Sequence, residues 1–301
     1  MASIFFYMLI MFALIGGNKI VYKGAYDGLM LWFNNVIPLL LPFMLISALI
    51  VEKIKKLPDE KQNKYAILIT IFTGLFCGYP IGAKNTAEFV GCGSFDTKTG
   101  NLLLPLCNNC SPMFLSGYIL LNVLNNKVSF FLAVLLIYAP YIFYLLLSIL
   151  FDKLFEKSFK KTQKNNNRYK VDTSDKKPKS TEEKKDQIIL TITQITYVGF
   201  YIIICSIISE YIMSTNLPDI IRSFIAGLSE ITNGTMLISK SIVYNNRVKN
   251  ALILSLSSFG GISAILQTKN VIKNSGLSIL KYTITKTICA LATYGLAYYL
   301  I

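Results

Sequence analysis

Four short stretches hold most of the side chains in this sequence that could bind or move a solute. Gly78-Tyr79-Pro80-Ile81-Gly82-Ala83-Lys84 and Cys107-Asn108-Asn109-Cys110-Ser111-Pro112 set glycine, proline and polar groups inside otherwise apolar segments. Glu230-Ile231-Thr232-Asn233-Gly234 and Ser257-Ser258-Phe259-Gly260-Gly261 repeat that arrangement about 150 residues later. Carboxamides, hydroxyls and the backbone N–H groups freed where a helix restarts are binding chemistry, and a helix N-terminus favours an anion. Backbone that breaks helical hydrogen bonding at membrane depth is costly unless it is buried in protein or lines a wet cavity. One such break is explained by close helix packing. Broken segments at matching places in two halves of a chain point to the substrate site of a secondary transporter.

Catalysis fits poorly. The chain has no histidine, which removes the usual general base and metal ligand, and it contains no G-x-S-x-G or H-E-x-x-H pattern. Cys107 and Cys110 form a lone C-x-x-C without a second pair, so the six cysteines read as small packing residues and not as a metal or redox site. No enzyme activity, metal or cofactor is expected.

The elements that position these breaks belong in a bilayer. Mean hydropathy is +0.51 and only 15% of residues are charged, too apolar for an ordinary soluble domain. Windows at 29–51, 65–83, 129–151, 188–212 and 282–301 reach the roughly 20 apolar residues that span a membrane. Residues 4–15 lack a basic n-region and read as a retained N-terminal helix, not a cleaved signal. The net charge of +14 suits the lysine excess of cytoplasmic loops. Twelve of the 30 basic residues fall between Lys153 and Lys185, mixed with acids, which describes a solvated linker and not a nucleic-acid surface.

That linker, 152–187, divides the chain into 29–151 and 188–301, with 1–28 as an N-terminal helix and loop. Leu57-Pro58-Asp59 and Leu217-Pro218-Asp219 precede the second span of each half, and Gly74-Leu75 matches Gly227-Leu228. The loop 52–64 is basic while its counterpart 214–219 is not. The loop 85–98 is acidic while 244–250 carries Arg247 and Lys249. Opposite loops are basic, as in an inverted repeat. The predicted fold is therefore an all-α membrane protein of two inverted-topology repeats. Each repeat has three spans and a re-entrant helical hairpin, at 99–123 and at 251–276, and one N-terminal helix is added. Loops 52–64, 152–187 and 240–250 fall in the cytoplasm with the N-terminus, and 85–98 falls outside. The segment 269–281 is cytoplasmic too.

The candidate solute-binding residues are Gly78, Tyr79, Pro80, Lys84, Asn108, Asn109, Ser111, Thr232, Asn233, Ser257, Ser258, Gly260 and Gly261. Glu230, an acid well inside an apolar span, is the candidate proton or sodium coupling group, or else a partner of Lys84. These motifs, in this order and spacing from about Leu29 to the C-terminus, resemble the YlbJ family of sporulation integral membrane proteins. One departure is Asn108-Asn109-Cys110-Ser111-Pro112, where that family is expected to follow Asn with Ser/Thr, Gly and Pro. The resemblance implies two nucleoside-recognition (Gate) domains and export of dipicolinic acid, a small planar dianion, across the outer forespore membrane. Spacing and residue type by themselves point to a small polar, anionic solute in contact with a bilayer-embedded carrier, with a homo-oligomer open. A nucleoside or other metabolite carrier, and a structural protein of the spore envelope, are the competing expectations.

Overall fold

The computed structural model describes residues 16–158 and 182–301. The expected helix at 4–15 and most of the 152–187 linker lie outside the described residues. Every regular element among the described residues is helical. The first is α1 (Asn18–Leu31), which runs through a π-helical stretch (Trp32–Val36) into α2 (Ile37–Lys55), with a bend of 55° between them. Pro38 and Pro42 each delete a backbone donor just beyond that bend, which weakens the helical ladder there. Next come α3 (Asp59–Cys77), α4 (Ile81–Gly91) and α5 (Thr97–Cys107). Then α6 (Pro112–Phe114) continues as a second π-helical stretch (Leu115–Val123), followed by α7 (Phe130–Ser158). The second half holds α8 (Glu182–Met213), α9 (Asp219–Ser229), α10 (Ile231–Lys240), α11 (Asn246–Phe259), α12 (Gly261–Ile272) and α13 (Ile279–Leu300).

Among the described residues three helices are long and apolar enough to cross a membrane, Phe130–Phe151, Ile189–Met213 and Asn246–Ile272, and the bent α1–α2 pair makes a fourth if it is counted as one span. Large apolar side chains such as Phe131, Leu135, Phe143 and Leu291 stay exposed on these and neighbouring helices, the surface expected of a chain solvated by lipid. The expected span 65–83 is cut at Gly78. The span 282–301 is present as α13, although its threonines and Lys286 keep it outside the apolar set.

The path of the chain differs from the expected hairpins. α4 turns back and packs against α3 across Gly78-Tyr79-Pro80, and α10 packs against α9 across Glu230. The latter pair approaches so closely that a Cβ on Gly234 would overlap the Gly227 Cα. In contrast, α5 makes no substantial packing with α6, nor α11 with α12. Of the segment 251–276, expected as a re-entrant hairpin, residues 251–272 belong to the single Asn246–Ile272 span interrupted at Gly260. Both kinds of break carry the same residue types, so composition does not tell them apart. At Pro112 and Gly260 a helix stops and restarts, whereas at Gly78 the chain turns back and the two flanking helices pack together.

The ends of the molecule follow from three hydrogen bonds. Lys55 donates to Glu88 at 2.7 Å, so loops 52–64 and 85–98 share one end. Opposite ends are what loop charge alone predicts, yet here the acid and the base pair with each other, and acidic residues contribute little to orientation. The Ser278 N–H donates to Asn101 Oδ1 at 2.8 Å and brings 273–278 to that same end. Tyr244 donates to the Ile220 carbonyl at 2.7 Å, joining 244–250 to 214–219. A 27-residue span, about 40 Å of helix, separates that second cluster from 273–278.

Candidate functional site

The four breaks are seated on one another. The Tyr79 N–H donates to the Asn109 carbonyl at 2.9 Å, and the Ala83 N–H donates to Asn108 Oδ1 at 3.3 Å. Gly78 must be glycine twice over: its φ is positive, and a Cβ there would lie 2.6 Å from the Asn109 oxygen. Ser111 caps α6 by accepting from the Phe114 N–H at 3.1 Å, with Pro112 in the first helical position. In the other half Glu230 adopts an extended conformation between α9 and α10. Gly261 sits against the Leu228 carbonyl and the Ile231 nitrogen. Between the halves, Tyr118 donates to the Thr232 carbonyl at 2.9 Å, and Gly260 lies against the Tyr79 ring.

A cavity of about 450 Å³ opens where the breaks meet. Five of the expected residues line it: Tyr79, Ser111, Glu230, Thr232 and Gly260. Glu230 is 2% exposed and caps α10, accepting from the Asn233 N–H at 2.9 Å through Oε2 and from Thr232 Oγ1 at 3.0 Å through Oε1. Among the described residues the lining holds no lysine or arginine. Gln267 also faces the cavity at 4% exposure; its Nε2 donates to Ser263 Oγ at 3.1 Å while its Oε1 has no partner. Three further carboxamides, Asn34, Asn35 and Asn122, line it from the two π-helical stretches. Single-turn π segments recur at functional sites because they redirect side chains out of helical register.

The remaining expected residues lie elsewhere. Lys84 faces a separate void of about 10 Å³ together with Pro80. Its nearest carboxylate is Glu88 at 3.8 Å, so Glu230 is not its partner. Ser257 donates within its own helix to the Ile253 carbonyl. Ser258 Oγ meets Tyr141 at 3.1 Å and Thr293 at 3.2 Å. Asn233 donates to Ser206 Oγ at 3.4 Å. Gly78 and Gly261 shape backbone without lining the cavity. Asn108 is consumed by the fold: Nδ2 donates to Thr268 Oγ1 at 2.7 Å and to Tyr282 at 2.9 Å. Asn108→Ala is therefore expected to cost stability, about 2 kcal/mol or more from the stranded buried groups. A lowered melting temperature of the purified protein is the readout; unchanged melting would mean these bonds contribute nothing.

Neither protein-family models, nor curated proteins, nor solved structures give a match to this chain.

Sequence reasoning passed over Lys286, Gln267, Tyr118 and the π-helical carboxamides. Lys286 carried a legible signal, a lone base in the middle of the last apolar helix. Gln267 and Tyr118 carried none, because one glutamine or tyrosine in a helix looks like any other until its face is known.

Proposed function

We propose that this chain is a membrane carrier for a small polar solute that sits in the cavity between the four breaks and donates hydrogen bonds to its walls. The observation that carries this reading is the chemistry of the lining. Among the described residues Glu230 is its one carboxylate, the buried Gln267 Oε1 in its wall has no partner, and no base faces the space. A donor-rich neutral or cationic solute matches two acceptors, whereas an anion would meet a like charge. The volume is in the range of pockets that enclose small organic ligands. A nucleoside has this donor chemistry and agrees with the Gate-domain resemblance.

Export of dipicolinate across the outer forespore membrane is the second reading. It rests on the YlbJ resemblance, and the helix start at Gly260 beside the cavity favours it. Uptake into proteoliposomes of radiolabelled uridine, with dipicolinate as competitor and as alternative cargo, separates the two. Uridine uptake unaffected by dipicolinate is expected. Dipicolinate movement without uridine movement would reverse the charge argument. If neither moves, the carrier reading fails and a structural role in the envelope takes its place.

The carrier reading takes the two halves as inverted repeats, in a register shifted from the sequence expectation: the turn-backs are α3–α4 and α9–α10, and the interrupted spans are α5–α6 and α11–α12. Packing relations recur in both halves, α3 with α4 as α9 with α10, and α4 with α5 as α10 with α11. Each half keeps three crossings, so the second remains upside down. Loops 52–64, 85–98 and 273–278 take the cytoplasmic side, which gathers Lys53, Lys55, Lys56, Lys61 and Lys98 there. Cys92 is exposed, while Cys77, Cys107, Cys110, Cys205 and Cys289 are buried. A membrane-impermeant maleimide should thus label Cys92 from the cytoplasmic face and an introduced Asn246→Cys from the opposite face. Labelling of both from one side would sink the inverted arrangement.

A further inference from the structure

Lys286 is 0% exposed, yet among the described residues no carboxylate lies within ion-pair distance of it. Its Nζ donates to Asn109 Oδ1 at 3.2 Å and to the Asn108 carbonyl at 3.4 Å, and it sits 5.0 Å from the centre of the Tyr141 ring. Both oxygens are committed to acceptance. Asn109 Oδ1 also takes the Cys110 N–H at 3.0 Å, which fixes the amide with its oxygen towards the lysine. The Asn108 carbonyl has no helical donor, because the residue four positions on is Pro112, which has no N–H. Carbonyl oxygens released at a helix break are the ligands that coordinate a coupling cation in transporters built from broken helices, and an aromatic face adds to the attraction.

Burying a lone ammonium is costly, and an apolar side chain of that length would avoid the cost. The position of the charge gives it a use: it brings, on a covalent stem, a positive charge to two oxygens at the break. We propose that the Lys286 ammonium is a tethered cation occupying a carbonyl-lined monovalent-cation site at the 108–110 break, so that this break is held together without sodium. The inference concerns the break and its ion, and stands whichever solute the cavity carries.

The test is thermal unfolding of the purified full chain, followed through its single tryptophan, Trp32, in sodium chloride against choline chloride. The wild type should melt alike in both salts. Lys286→Ala vacates the site: it should melt lower in choline, by on the order of 5 °C, and recover in sodium or methylammonium. Lys286→Met removes the charge but leaves the stem in place, so it should melt lower in every salt. Stabilisation of the wild type by sodium overturns the proposal. So does a Lys286→Ala protein that small cations do not rescue, or a Lys286→Met protein as stable as the wild type. The wild-type and Lys286→Met results decide the matter even if the alanine variant does not accumulate.

Discussion

Gly82→Ala is expected to abolish accumulation of the folded protein. A Cβ at Gly82 would overlap the Cys107 carbonyl oxygen and would lie 3.2 Å from the Asn108 nitrogen. Both are backbone atoms, so no side chain can swing away. The helix carrying Gly82 would have to withdraw from the break beneath it, stretching the bond from the Ala83 N–H to Asn108. Overpacking costs about 1–3 kcal/mol where side chains can adjust, and a backbone clash belongs at or above the top of that range. Against a stability of roughly 5–15 kcal/mol this is a large fraction. Gly295, in α13, is the control, since a Cβ there meets nothing within 4 Å. Gly295→Ala should be neutral or stabilise by up to about 1 kcal/mol. Abundance in membranes and a monodisperse elution profile report both. Equal accumulation of the two variants would mean that the breaks are not seated as described.

Glu230→Gln is expected to leave the protein folded while lowering uridine uptake by about ten-fold or more, equivalent to some 1.4 kcal/mol. Glutamine keeps the volume and one acceptor oxygen, so the cap on α10 survives in part and its loss costs under about 1 kcal/mol. What disappears is the negative charge and the second acceptor on the cavity wall. Glu230→Ala removes cap and charge together and should lose both stability and uptake. Normal uptake by a well-folded Glu230→Gln protein would reduce Glu230 to a helix cap and remove the main support for a donor-rich solute.

The positions of the breaks were legible in the sequence because glycine, proline and amides stand out against apolar surroundings. The helix start at Pro112 was readable because an N1 proline is a local feature, while the cap, open in the sequence among Asn108, Asn109 and Ser111, is Ser111. Direction was not readable. Whether the chain turns back at a break or continues depends on which helices pack afterwards, and glycine, proline and amides occur at breaks of both kinds. Loop charge misled for a related reason: Glu88 belongs to Lys55, which follows only from the fold. Of the candidate site, Tyr79, Ser111, Glu230, Thr232 and Gly260 meet in the cavity, and which residues reach it depends on how the helices pack around each break. Asn108, Ser257 and Ser258 face inward and are spent on structure.

The bonds that hold Asn108 carry a consequence for how the protein is made. Its partners Thr268, Tyr282 and Lys286 lie 160, 174 and 178 residues further along the chain. At roughly 5–20 residues per second, the ribosome needs on the order of 10–30 seconds to deliver them after Asn108 has emerged. For that interval a carboxamide and a donor-less carbonyl at the middle of an early membrane segment lack the groups that later satisfy them. Helices α12 and α13 of the second half therefore complete the first, and a chain ended at the linker would leave the membrane holding an unfinished break.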